Sequence, residues 1–246
     1  MLHDFFLALG FFTRLPVPNH PNFSDAALRR SAIYFPLVGV IVGGLLALIF
    51  VLVNLVFSTS ISVLITLAVG FLITGGFHED GWADTADGLG GAFRREDKLR
   101  IMTDSRLGTY GSLALWAMLT LKTVTLIELL PLAGWLVLLV THALSRWAAM
   151  SAMVWLDYVR AEPSKAKPVV SQLSVRRWLA SALFVLPTLV WLPPLTIACL
   201  LTASLLMTLL WHEFLKRQLG GYTGDTLGAS QQLNELGLLL VWLALV

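Results

Sequence analysis

No charged side chain occurs from Ser31 to Phe77, nor from Trp178 to Trp211. One helix needs only about 20 apolar residues to cross the hydrocarbon of a bilayer, so each run must fold back as a helical pair. Polar or proline punctuation marks the turns, at Ser58-Thr59-Ser60 in the first run and Pro193-Pro194 in the second. A third apolar stretch, from Gly111 to about Asp157, turns near Pro131. Charged residues make up 13% of the chain, against roughly 25% in a soluble domain, so lipid must replace water over much of the surface. The expected fold is all-α, a polytopic integral membrane helical bundle. Its spans, about six, fall near residues 33–57, 61–77, 111–130, 132–156, 178–192 and 195–211. Two shorter apolar pieces flank them. Leu2–Phe12 is expected to lie in the interface. Leu236–Val246 is too short to cross alone and is expected to be interfacial or re-entrant. The length is that of a single domain covering residues 1–246. A signal peptide is a poor fit, because no basic residue precedes the first apolar stretch and no A-x-A site follows it.

The basic residues give this topology a direction. Arg14, Arg29 and Arg30 precede span one; Arg94, Arg95, Lys98, Arg100 and Arg106 lie between spans two and three. Arg160, Lys165, Lys167, Arg176 and Arg177 lie between spans four and five, and Lys216 and Arg217 follow span six. The short turns carry no Lys or Arg. Such alternation is what the positive-inside rule predicts, placing the N-terminus and the long polar loops of a multi-pass chain in the cytoplasm. A formal net charge of +2 gives no case for nucleic acid. The single cysteine, Cys199, excludes an intramolecular disulfide and sits in an apolar run, where it acts as a small hydrophobe.

Most acidic residues fall on that same side, and the densest cluster follows span two, from Gly75 to Gly88. Read as a helix, Asp80, Asp84 and Asp87 stand at i, i+4 and i+7, on one face. Glu79 points about 100° away. Like charges at this spacing repel by a few tenths of a kcal/mol per pair, and a divalent cation would remove the repulsion. Hard oxygen donors without paired Cys or His suit magnesium or manganese rather than zinc. The alternative is a solvated acidic loop. Glycines at 75–76, 88 and 90–91 bracket the stripe with backbone that can approach a ligand closely.

A second polar segment, Asp104 to Gly111, leads into span three. Asp104 is a candidate fourth metal ligand. Arg106 is either a phosphate-binding fork or an anchor at the membrane surface. A third segment, Gly220 to Gly228, carries Thr223 and Asp225 among glycines. It can form an anion-facing turn or a helix cap, and it lacks the lysine and spacing of a Walker loop. All three segments are expected on one membrane face. Within span four, His142 and Arg146 share a face one turn apart. A cation at that depth is paired or lines a polar cavity, so Arg146 either binds substrate phosphate or bridges an acid such as Asp87. Lys122 and Glu128 in span three do not share a face. His78 is a candidate base, or a hydrogen-bonding neighbour of the stripe.

The string H-E-D-G-W-A-D-T-A-D-G from His78 to Gly88 closely resembles the signature of the cobalamin synthase (adenosylcobinamide-GDP ribazoletransferase) family. So does D-S-R-L-G-T-Y-G from Asp104 to Gly111. The resemblance continues in Thr13-Arg14-Leu15-Pro16-Val17-Pro18, in Phe35-Pro36-Leu37-Val38-Gly39, and in G-G-Y-T-G-D-T-L-G-A from Gly220 to Ala229. The resemblance implies transfer of the adenosylcobinamide-phosphate group from adenosylcobinamide-GDP to α-ribazole or its 5′-phosphate, with release of GMP. It also implies magnesium as cofactor and residence in the cytoplasmic (inner) membrane. On this reading Asp80, Asp84 and Asp87, with Asp104, hold metal. Arg106 and Arg146 hold the diphosphate, and Thr223 and Asp225 contact a second metal or the ribazole. Association into a homo-oligomer stays open. One rival is a CDP-alcohol phosphotransferase, but Asp84 and Thr85 stand where its D-G-x-x-A-R pattern, counted from Asp80-Gly81, ends in alanine and arginine. Another is a cation-coupled transporter, which would place its acids near the midplane.

Overall fold

The computed structural model describes residues 2–18, 24–159 and 172–246. Arg160, Lys165 and Lys167 of the expected basic loop therefore lie outside the described residues. The fold is all-α. In chain order the helices are α1 (Leu2–Phe12), α2 (Asp25–Ser31), α3 (Phe35–Asn54), α4 (Thr59–Thr74), α5 (Phe77–Gly91), α6 (Arg95–Ile101) and α7 (Thr109–Ala133). They continue as α8 (Leu136–Met150), α9 (Ala152–Trp155), α10 (Val175–Ser181), α11 (Leu186–Leu189), α12 (Pro194–Leu219) and α13 (Gly224–Leu243).

Among the described residues, four helical stretches are long and apolar enough to cross a membrane: Ala26–Asn54, Thr109–Ala133, Leu136–Trp155 and Pro194–Leu219. A fifth is counted if α4 and α5, bent by 87°, form one broken span. The bend falls on Gly75 and Gly76, both at φ 67. This left-handed conformation is open to glycine and strained for other residues, so the apolar helix stops there and the acidic one leaves nearly at a right angle. The expected fifth span, 178–192, is not one long helix. It is α10, a 3-10 turn at Ala182–Phe184, and α11. Pro187 lies in this stretch and lacks the N–H that would continue a helical ladder. The turn expected near Pro131 comes slightly later, at Gly134 (φ 72), because α7 carries the proline in its last turn.

The terminal piece also needs correction. Leu236–Val246 is not an isolated short segment, since its apolar residues continue α13, a helix of 20 residues. That helix packs against α5, α7, α8 and α12. Its core positions include Gln231, Gln232, Asn234 and Glu235, all buried, and these polar residues hid its length from a reading of apolar runs. Opposite it, α3 lies close against α8. A Cβ at Gly43 would stand 2.6 Å from the carbonyl oxygen of Leu138, and one at Gly39 would be crowded still more closely by the His142 carbonyl. Small residues one turn apart allow this backbone approach, which is how membrane helices gain packing without a hydrophobic drive between them. At the N-terminus, α1 packs on α2 and α3, and Asp4 accepts a bond from Arg30 Nε at 3.1 Å.

Candidate active site

The three glycine-rich polar segments meet around α5. That helix carries Asp80, Asp84 and Asp87 as the spacing predicts, graded from exposed through half-buried to buried. Asp87 faces the start of α7. Its Oδ2 accepts the N–H of Gly108 and its Oδ1 that of Gly111, each at 2.8 Å. The N-cap of α7 is Gly108, which has no side chain to cap with. Asp87 supplies the missing acceptor from another helix, and its charge stands at the positive end of the α7 dipole. Arg146 does not bridge Asp87, which is the correction to that expectation.

On its other side, α5 touches the start of α13. A Cβ at Gly81 would meet the Asp225 carbonyl oxygen at 2.8 Å, and Gly228 faces His78 and Gly81 across the same contact. Only glycine permits two helices to lie this close. The third segment is a helix start rather than a free-standing turn. The Thr223 hydroxyl accepts from Thr226 N–H at 3.2 Å while Thr226 Oγ1 accepts from Thr223 N–H at 2.8 Å. The capping is reciprocal, and Thr223 is fully buried. Asp225 lies in the first turn, half-buried beside Gly81. His78 is buried, with its ring stacked on Phe12 at 5.6 Å.

Asp104 and Arg106 form an exposed fork, with Arg106 Nη2 donating to Asp104 Oδ2 at 2.6 Å and Nε donating to Oδ1 at 3.0 Å. The Arg106 bonds hold the Asp104 carboxyl down at about 2, and the same pairing raises the guanidinium. Asp104, Arg106 and Asp87 line one open cleft of about 420 Å³, with Gly108 and Tyr110 on its walls. The structure thus gathers Asp87, Asp104 and Arg106 into one cleft and sets Asp225 against the turn of α5 that carries Asp80 and Asp84.

A buried polar network behind the site was largely missed by the sequence reading. Lys122 Nζ lies 2.9 Å from Glu235 Oε1 and donates to Gln232 Oε1 at 2.7 Å. Gln231 Nε2 donates to Glu235 Oε2 at 2.6 Å, and Gln232 Nε2 donates to Glu79 Oε1 at 3.0 Å. Arg146 Nη1 donates to the His142 carbonyl at 3.0 Å, and His142 Nδ1 lies 3.6 Å from Glu235 Oε2. Two cations, Lys122 and Arg146, therefore share one buried network with two acids, Glu79 and Glu235. Among the described residues, Glu79 Oε2 and Arg146 Nε have no hydrogen-bond partner. The available signal was Gln231 and Glu235 at i and i+4, with Gln232 and Asn234, directly ahead of the apolar run that begins at Leu236.

Among the described residues, no three His, Cys, Asp or Glu side chains are disposed to hold a metal ion by themselves. Asp80, Asp84, Asp87 and Asp104 are therefore not brought together as the single ligand set that the helical spacing suggests. A cation such as magnesium takes one or two carboxylates and completes its shell with water and phosphate oxygens. The donor chemistry along α5 is all carboxylate and fits such a shared site.

The chain matches the family model described as cobalamin-5-phosphate synthase over residues 4–243. Curated relatives carry the name adenosylcobinamide-GDP ribazoletransferase. The Shewanella frigidimarina protein is 44% identical over 250 residues, covering 99% of this chain and 95% of the relative. The Vibrio cholerae O1 protein is 42% identical, covering 99% and 94%. The Ralstonia pickettii protein is 43% identical, covering 96% and 92%. These relatives bear out the resemblance read from the polar segments and do not favour the CDP-alcohol or transporter alternatives. No solved structure matches the chain.

Proposed function

Because this chain belongs to the cobalamin-5-phosphate synthase family, we infer that it transfers the adenosylcobinamide-phosphate group from adenosylcobinamide-GDP to α-ribazole or its 5′-phosphate. A ribose hydroxyl oxygen of the acceptor bonds to the phosphorus next to the corrinoid's aminopropanol arm. The bond from that phosphorus to the oxygen of GMP breaks, GMP leaves with the electron pair, and the hydroxyl proton passes to a base. The observation that carries this reading is the placement of α5. That helix is held between the start of α7, through Asp87, and the start of α13, at Gly81, so an aspartate-bearing helix lies beside the positive ends of two helix dipoles. Phosphoryl-type transfer relies on such positioning and charge neutralisation more than on covalent chemistry by the protein.

Asp80 and Asp84 would hold magnesium, with Asp87 and Asp104 at the edge of the same region. A magnesium ion held there would supply neutralisation of the diphosphate and of the charge on departing GMP. Arg106, on an exposed loop, would exchange its Asp104 partner for a phosphate oxygen through the same planar fork. Asp225 would meet the acceptor alcohol from the α13 side. The basic residues favour a cytoplasmic site in the inner membrane, so a reporter fused in the Pro193-Pro194 turn should read as external.

The direct test is GMP release from adenosylcobinamide-GDP by the purified chain, with and without α-ribazole and magnesium. Release that needs both supports the reading. Release unaffected by chelation, or near wild-type turnover in Asp84→Asn, would remove the metal assignment.

A further inference from the structure

A second cavity lies away from the acidic site, in the groove between α12 and the pair α8–α10. Its volume is about 580 Å³, within the range of built ligand sites. One wall is aromatic. Trp147 and Trp178 stack at 4.4 Å, and each indole N–H donates to the other residue's carbonyl at 3.1 Å. The opposite wall is α12, whose Leu201, Leu205 and Leu209 are exposed there. Polar atoms on the walls are already engaged. Ser204 donates to Asn234 Oδ1 at 2.9 Å, and Ser151 Oγ and His212 Nε2 lie 3.2 Å apart. What the groove offers over most of its length is therefore hydrocarbon, beside a helix long and apolar enough to span.

One end is different. Lys216 lines it, in the last turn of α12. The neighbouring acid, Glu213, accepts from Arg217 Nε at 2.7 Å, so its charge is offset and the rim is net positive. Arg176 and Arg177, both exposed, immediately precede Trp178 of the facing wall. A long apolar slot with a basic rim and interfacial tryptophans matches a lipid with an anionic headgroup. A second copy docked by two-fold symmetry would instead present the same basic rim to the groove.

We propose that this groove binds one anionic phospholipid, with an acyl chain between the tryptophan wall and the α12 leucines and the phosphate at Lys216. The site is separate from the transferase reading and does not rest on it. The test is native mass spectrometry of the full chain in detergent, titrated with phosphatidylglycerol or with phosphatidylcholine of the same acyl chains. Wild type should retain one phosphatidylglycerol in preference to phosphatidylcholine. Lys216→Gln, an exposed change that leaves packing intact, should weaken phosphatidylglycerol retention about fivefold, as expected for one basic contact, and leave phosphatidylcholine unchanged. Leu205→Trp, which fills the groove, should remove retention of both. Equal retention of the two lipids by wild type would overturn the proposal. So would unchanged retention in Lys216→Gln, or a dimer in place of the lipid-bound monomer.

Discussion

Asp84 and Asp87 lie on one face of α5, but substitution should separate their roles. Asp87 uses both oxygens on backbone N–H groups of α7. Asn keeps only one such acceptor, so Asp87→Asn should lower unfolding stability by about 1–2 kcal/mol as well as activity. A denaturant melt run beside the GMP assay checks this, and a variant inactive yet fully stable would contradict it. Tyr222 gives a pH signature. Burial, then Tyr158 and Asp157, raise its phenol above 10.0 in the folded chain. The unfolded chain releases that proton first, so this contribution is complete below about pH 10 and fades as pH rises further. Alkaline melts of Tyr222→Phe should lose less stability above pH 10 than wild type, and parallel curves would refute the assignment. At this scale the aspartate stripe was legible because helical spacing fixes which residues share a face. The same rule set Glu79 off the stripe, but it is silent about which helix receives the other face. The link from Glu79 to Gln232 was therefore invisible until α13 was placed.

Among the elements, α13 departs most from the sequence reading, and its start can be tested directly. Thr223 and Thr226 exchange bonds at its N-terminus. Thr223→Val keeps the shape and removes the cap, and should destabilise by about 1 kcal/mol. Thr223→Ser should hold wild-type stability, and chemical melts of the pair decide the matter. The long apolar helices α3, α7 and α12 were legible because lipid tolerates few charges on them. The α13 helix was not, because its polar side chains are satisfied by other helices rather than by water. The α10–α11 stretch failed for the opposite reason, since apolar composition gave length but not continuity through Pro187.

For the whole molecule, the decisive feature is the network joining α5, α7, α8 and α13 through Glu235. Glu235→Leu leaves Lys122 buried without its 2.9 Å partner and should cost about 3–5 kcal/mol. Adding Lys122→Met should restore most of that loss, because an apolar pair replaces an ionic one. Thermal melts of the single and double variants in the same detergent measure it, and a double variant no better than Glu235→Leu would show that the ion pair is not the link. The apolar spanning helices were readable from long runs without charge, whereas this coupling depends on helices distant in sequence. The right angle between α4 and α5 has a mechanical consequence. With 15 residues, α5 is a lever arm of roughly 22 Å, and a tilt of α4 by about 5° would sweep its free tip through about 2 Å at that length. Bilayers of different thickness tilt spanning helices, and such a sweep would spoil the register of reacting atoms. The Gly81 contact braces the arm near its root, and the two bonds at Asp87 pin it toward its tip, so the hinge is held rigid against movements of the surrounding lipid.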